Sequence, residues 1–325
     1  MQELVRIEPV ATEAYIREVL PHSHGLWGGA RTLEQYAADF RTFANSSYGR
    51  SRQLTVGVRD DGKLVCSCKN YARDILWHGN RLAATGIGAV FTPPAFRGRG
   101  YASLMLGALL DAERAAGTDV AYLFSDIHPS FYERLGFAPL PSRTISFAAT
   151  MLDGAHAGSE PLEAADWPAV HHCFEAMESR RGWSFGRTPL VWEWMHGRSE
   201  HGWSDGSQPV RLVVRRGSSV VAYVLGRRSL RDDAFLFDEF GFDGDSGRAL
   251  AAPLLRAAAG DLGRVRGWLP PAVARDVLPR ASVRARKDAI LMVVALSPLA
   301  RTWWSAVRDQ TRAARADACW SADHI

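Results

Sequence analysis

Residues 95–110, AFRGRGYASLMLGALL, set two arginines and two glycines directly before a long apolar helical pattern. Glycine is a poor helix former, but without a Cβ it lets backbone N–H groups converge on one point. The unpaired N–H donors of a first helical turn and the positive end of the helix dipole favour an anion by roughly 0.3–1 kcal/mol per contact. Arg97 and Arg99 add full charges with bidentate geometry. A bend built this way, with Gly98 and Gly100 in it, is expected to hold a phosphate or a pyrophosphate. It is not a Walker P-loop, because no G-K-[ST] follows, and it lacks the third glycine of a dinucleotide fingerprint.

Such a bend needs a strand before it and a rigid helix after it. The run GIGAVFT, residues 86–92, supplies the strand, which Pro93-Pro94 stops, and residues 101–115 supply the helix. Upstream, QLTVGVRD, KLVCSCKNYARDILWH and RLAATGIGAVFT are apolar runs separated by DG and GN turns, the pattern of an antiparallel meander. Residues 12–46 carry two helical patterns. Pro21, Gly25, Gly28 and Gly29 predict a loop between them, and Thr32 is placed to cap the second. After the 101–115 helix come DVAYLFSD as a buried strand, implying a parallel crossover, then the short helix SFYERLG and a closing strand, PSRTISFAAT.

This order then recurs. A polar linker of small residues at 151–160 leads to helices, three strands, a helix, a strand and a last strand, AILMVVAL. The fold class is therefore α/β in the α+β sense: two tandem domains at 1–150 and 161–298, each a mixed, mostly antiparallel sheet flanked by helices. A helical, amphipathic tail is expected at 299–325.

Composition narrows the class further. A chain of 325 residues, 47% hydrophobic and 23% charged, is an ordinary globular protein long enough for two cores. The net charge is +4, but the basic residues are scattered, and lysine occurs only at 63, 69 and 287, so a nucleic-acid surface is not expected. Cys66, Cys68, Cys173 and Cys319 form no CxxC pair, which argues against a metal site and for a reducing, cytoplasmic setting. No secretory signal or membrane-length apolar run is present, and homo-oligomer formation is left open.

The bend matches R-x-x-G-x-A at Arg97, Gly100 and Ala102, with Gly98, Arg99 and Tyr101 between them, and FYERLGF follows downstream. In this the sequence resembles the GCN5-related N-acetyltransferases (GNAT superfamily), whose pyrophosphate loop carries that motif. The resemblance implies acetyl-CoA as cosubstrate, with no metal, and backbone contacts from Val90, Phe91 and Thr92 to the pantetheine arm. It also implies a tyrosine near the coenzyme sulfur, matched by Tyr132 ahead of Gly136 and Phe137. The chemistry suits a phenol: its pKa near ~10 against ~8.5 for a thiol lets Tyr132 protonate the departing thiolate. The attacking amine must be neutral, so a base or a water chain is required. Asp126 and His128 in SDIHPS, and His22 or His24, are the candidates, although Asp126 could equally cap the helix that follows.

Two kinds of GNAT are similar. The tandem layout, with GIGAVFTPPAFRGRG in step with FYERLGF, resembles the enhanced-intracellular-survival acetyltransferases. Those have a third, sterol-carrier-like domain whose terminal carboxylate serves as base. Here no such domain follows, which puts the carboxylate of Ile325 in doubt as that base. LFSDIHPSFYERLGFAPLPSRTISF and LWGGARTLEQYAADF resemble fungal-type lysine N6-acetyltransferases, and this likeness covers about the first 150 residues.

Both resemblances imply acetyl transfer to a primary amine of a small molecule, lysine-like or an amino sugar. The alternatives are a protein lysine acetyltransferase and a non-catalytic CoA-binding sensor or scaffold. In the second half, FGFDGDSGRALAAPLL stands where the loop should be, and Asp243 and Asp245 would repel phosphates by about 1–4 kcal/mol each, so this domain is expected to be degenerate. Asp238 and Glu239 are candidates to attract a cationic amine, and the tryptophans Trp183, Trp192, Trp194 and Trp203 to line the acceptor pocket.

Overall fold

The computed structural model describes residues 6–152, 158–200, 207–314 and 317–325. Two sheets form its frame. Strands β1 (Glu8–Pro9), β2 (Gln53–Asp60), β3 (Lys63–Trp77), β4 (Asn80–Phe91), β5 (Val120–Ser125) and β6 (Ala138–Pro139) belong to the first. Strands β7 (Arg143–Ala148) and β8 (Ser159–Pro161) belong to the second, β9 (Trp183–Gly186) adds to β3, and β10 (Gln208–Arg216), β11 (Ser219–Ser229), β12 (Ala234–Phe242), β13 (Arg264–Trp268) and β14 (Ser282–Ala285) return to the second. The last strand, β15 (Ile290–Ala295), lies in the first sheet. The meander β2–β3–β4 is antiparallel, closed by two-residue turns with positive φ at Asp61-Gly62 and His78-Gly79. Strands β4 and β5 run parallel, as do β12 and β13, each pair joined by a crossover helix.

The helices are α1 (Thr12–Glu18), α2 (Leu20–Trp27), α3 (Leu33–Asn45), α4 (Ser47–Arg52), α5 (Tyr101–Ala115), α6 (Ser130–Glu133), α7 (Trp167–Glu178), α8 (Pro189–Glu200), α9 (Gly244–Ala259), α10 (Ala272–Arg275) and α11 (Pro298–Ala314). Residues 20–27 are helical where a loop was expected. Pro21 sits in the first turn of α2, where its missing N–H would have had no partner, and the breaks fall at Val19 and at residues 28–32. Thr32 does cap α3, in a reciprocal box with Gln35.

The halves exchange strands. β7, expected to close the first sheet, pairs with β13 and β14, while β15 pairs with β5 and β6. Burial supplies the reason. Leu291, Met292 and Val293 are buried in succession, which suits a sheet covered by α5 on one face and α11 on the other. β7 alternates instead: Ile145 and Phe147 are buried against the second core, and Thr144 and Ser146 are half-buried on the opposite face. The tail also differs from expectation. Only α11 is helical at length, packing Trp303 and Val307 under the first sheet, and residues 317–325 then run between the domains. Residues 153–157 of the linker, and Trp203, lie outside the described residues.

Candidate active site

The site begins where two parallel strands part. Ala84–Ile87 of β4 pair with Val120–Leu123 of β5, and no pairing continues beyond them. At Ala89 the chain takes φ 48° and the register with β3 shifts between Ser67 and Lys69, a bulge that bends β4 away. Val90, Phe91 and Thr92 thus line a wedge between the strands, while the Thr92 hydroxyl donates to Cys66 Sγ at 3.3 Å.

Pro93-Pro94 then leads through a single 3₁₀ turn into the bend. Gly98 and Gly100 have φ of 76° and 82°, the left-handed region, and a Cβ built on either would meet nothing within 4 Å. The requirement there is conformational, and the space above is open. Gly100 caps α5 without any side-chain bond to its first-turn N–H groups. Arg97 donates from Nε to the Thr92 carbonyl at 3.0 Å, which ties the bend back to β4. Arg99 lies exposed over the Phe96 ring at 5.8 Å, and the Tyr101 hydroxyl bonds Asp60.

A cleft of about 1140 Å³ joins wedge and bend. Val90, Phe91, Thr92, Arg97, Gly98, Gly100, Tyr101, Ala102, Asp126 and Tyr132 line it; Arg99 and His128 do not. Tyr132 is buried at 8% exposure, wedged between Phe131 and Phe137 by α6 and by the turn at Gly136 (φ 89°). Burial first, then Asp126 and the neighbouring cysteines, push its phenol up to about 12, so it keeps its proton. Asp126 is exposed, and its Oδ1 accepts the Ala289 N–H at 3.0 Å. His128 is exposed and held by Ser130 at the start of α6, and His24 bonds the Arg31 carbonyl.

Ile325 and His324 also line the cleft, together with Lys69, Tyr71 and Trp194. The carboxyl carbon and an oxygen of Ile325 lie 3.6 Å from where a Cβ on Gly88 would stand, and its Cδ1 lies 2.5 Å from the same point on Gly86. Buried ion pairs hold this segment in place. Arg187, with a side chain 1% exposed, pairs with Glu239 at 2.7 Å and Asp323 at 2.9 Å. Trp320 Nε1 donates to Glu178 at 3.1 Å, Arg181 donates to the Ala318 carbonyl, and Asp317 accepts the Arg143 N–H at 2.6 Å.

Glu239 is fully buried, bonded by Tyr223 as well as Arg187, and Asp238 bonds Ser321, so neither lines this cleft where it could attract an amine as expected. Trp183 and Trp192 are core residues, and of the four tryptophans only Trp194 lines the cleft among the described residues. In the second sheet, β12 and β13 part beyond Phe237, and Ser321 enters there, donating to the Asp238 carbonyl at 3.0 Å. The α9 N-terminus below carries Asp243 and Asp245.

Residues 10–140 match the family model described as the acetyltransferase (GNAT) domain. Residues 10–140 thus carry the match to that domain, and the chain as a whole has a tandem GNAT-like fold. In fold it is similar to a GCN5-related N-acetyltransferase from Kribbella flavida (18% identity, 91% of this chain and 73% of that one, TM-score 0.66). It is also similar to Eis1 from Mycobacterium abscessus (15%, 90% and 74%, 0.56) and to Saccharomyces cerevisiae N-myristoyltransferase with bound myristoyl-CoA (10%, 90% and 83%, 0.53). No curated protein matches the sequence. Among the described residues, no helix is long and apolar enough to cross a membrane, and no group of His, Cys, Asp or Glu could hold a metal ion.

Proposed function

We propose that the chain transfers the acetyl group of acetyl-CoA to a primary amine of a small molecule, by direct attack of the amine on the thioester carbonyl. The observation that carries this reading is the continuity of one cleft from the Arg97–Gly100 bend, past Val90–Thr92, to Tyr132 and Ile325. The backbone N–H groups of Gly98, Gly100, Tyr101 and Ala102, with the Arg97 guanidinium, would hold the diphosphate. The free edge of β4 at Val90–Thr92 would pair with the amide groups of the pantetheine arm, and one of its N–H groups would polarise the carbonyl. The catalytic unit is then residues 1–150 completed by β15 and the 317–325 segment.

As the new C–N bond forms and the C–S bond breaks, two protons must move. Tyr132, still protonated and reaching the cleft, gives its proton to the leaving thiolate. The proton lost by the amine goes to Asp126, which lines the cleft with Tyr132, directly or through water. Asp126 is exposed and also accepts the Ala289 N–H, and His128 stands outside the cleft lining. A walled cleft, with Trp194 from the second domain in its lining, favours a small acceptor over a folded protein.

The test is thiol release from acetyl-CoA across lysine, polyamines, aminoglycosides and peptides, with myristoyl-CoA as the acyl-length control. Turnover with acetyl-CoA and a small amine is expected. Release with none of them, despite tight acetyl-CoA binding, would favour a sensor or scaffold.

A further inference from the structure

One face of the second sheet is rich in arginine along β11, β13 and β14. Phe235, Phe237 and Val265 enter its core, so in the paired strands Leu236 and Arg266 point the other way. Register places Arg227 beside Leu236, Leu236 beside Arg266, Arg266 beside Ser146, and Ser146 beside Ser282, one row across five strands. Arg264 on β13 and Arg284 on β14 fall on the same face by the two-residue period.

These residues line a second groove of about 780 Å³. Its charges are four arginines (227, 264, 266 and 284) against one carboxylate, Asp238, which lies 3.5 Å from Arg227. Arg266 and Arg284 make no hydrogen bond or ion pair among the described residues. At the groove's end Arg286, with a side chain 2% exposed, stacks 3.3 Å from the Trp268 ring, and its Nε and Nη1 have no partner. His324 lines both this groove and the active-site cleft, so the two adjoin at the residue before Ile325.

We propose that this arginine face anchors the acceptor: the amine substrate carries an anionic group, carboxylate or phosphate, that lies on β13 and β14 while its amine reaches the Ile325 end of the cleft. The Arg266 and Arg284 guanidinium groups on this open face are complementary to such a group and to no cation. This assignment rests on the acetyltransferase reading for the amine end, but the anion site stands on its own geometry.

Two measurements test it. Acceptor KM is compared for lysyl-glutamyl-glutamate and its fully amidated counterpart, lysyl-glutaminyl-glutamine amide, with wild type and with Arg266→Gln/Arg284→Gln. The acidic acceptor should have a KM roughly ten-fold lower than the amidated one, and the double variant should abolish that difference with the acetyl-CoA KM unchanged. Equal KM values in the wild type, or a difference that survives in the variant, overturn the proposal. Calorimetric titration with N-acetyl-triglutamate, which has no amine to acetylate, separates this from the catalytic reading. Binding that weakens roughly ten-fold in the variant upholds the anion site even if no acceptor turns over. No binding, binding equal in both proteins, or preferential capture of a single-stranded oligonucleotide overturns it.

Discussion

Replacing Arg187 with methionine strips the charge that fastens the C-terminal segment while keeping most of the side chain's bulk. The guanidinium sits 2.7 Å from Glu239 and 2.9 Å from Asp323, stacked 3.8 Å above Phe174 and 4.7 Å from Trp192. At an effective dielectric near 20, each pair at such separations carries about 6 kcal/mol of Coulomb attraction. The net effect of breaking it is nearer 3–5 kcal/mol, and arises because Glu239 and Asp323 stay buried without a counter-charge. Burial already holds the Glu239 carboxyl above its ordinary value, and without Arg187 it rises further. A carboxyl raised in the native state favours folding most below its unfolded value and loses that contribution as pH climbs. The variant should therefore be only mildly destabilised near pH 5 and most destabilised near pH 8. Urea denaturation followed by tryptophan fluorescence at both pH values measures this. Acetyl-CoA affinity, set by β4 and the bend, should hold within about three-fold, while thiol release falls at least about ten-fold as Ile325 leaves Gly88. Wild-type stability at pH 8 together with wild-type turnover would refute the reasoning.

Other outcomes follow from the same geometry. Tyr132→Phe should bind acetyl-CoA normally and turn over about 10²-fold more slowly, and the wild-type rate should show no loss from tyrosine ionisation up to pH 10, which a pH–rate profile checks. Asp317 is lifted by burial to about 7, with the Arg143 N–H opposing, so stability should decline as pH rises from about 4 to about 7. Asp317→Asn should flatten that slope in melting temperature against pH. Gly86→Ala would put a methyl 2.5 Å from Ile325 Cδ1 and 2.8 Å from the Tyr122 hydroxyl; single-turnover assays should find slower chemistry with unchanged acetyl-CoA affinity.

The bend before α5 was legible in the sequence because its signals are local: two glycines, two arginines and a helix start within six residues. The meander was legible from apolar runs and two-residue turns. The exchange of β7 and β15 was not, because a strand's own residues state which of its faces are buried and not which sheet receives it. ILMVV does announce burial on both faces, and RTISF on one, so a hint was present. The acceptor end of the cleft was hidden for another reason. Lys69, Trp194 and Ile325 lie far apart in sequence and meet only through the clamp around Arg187. Glu239 illustrates the hazard of reading acidic residues as surface: between Tyr223 and Arg187 it is part of the interior.

The account stands or falls on the bend at Arg97–Gly100 holding the coenzyme diphosphate. Calorimetric titration of acetyl-CoA into wild type and Arg97→Glu tests that most directly, since the substitution exchanges a cation for an anion beside the Gly98 and Gly100 N–H groups. With a charge reversal worth about 1–4 kcal/mol per close contact, affinity should weaken by about 10²-fold or more. Equal affinity for the two proteins would contradict it.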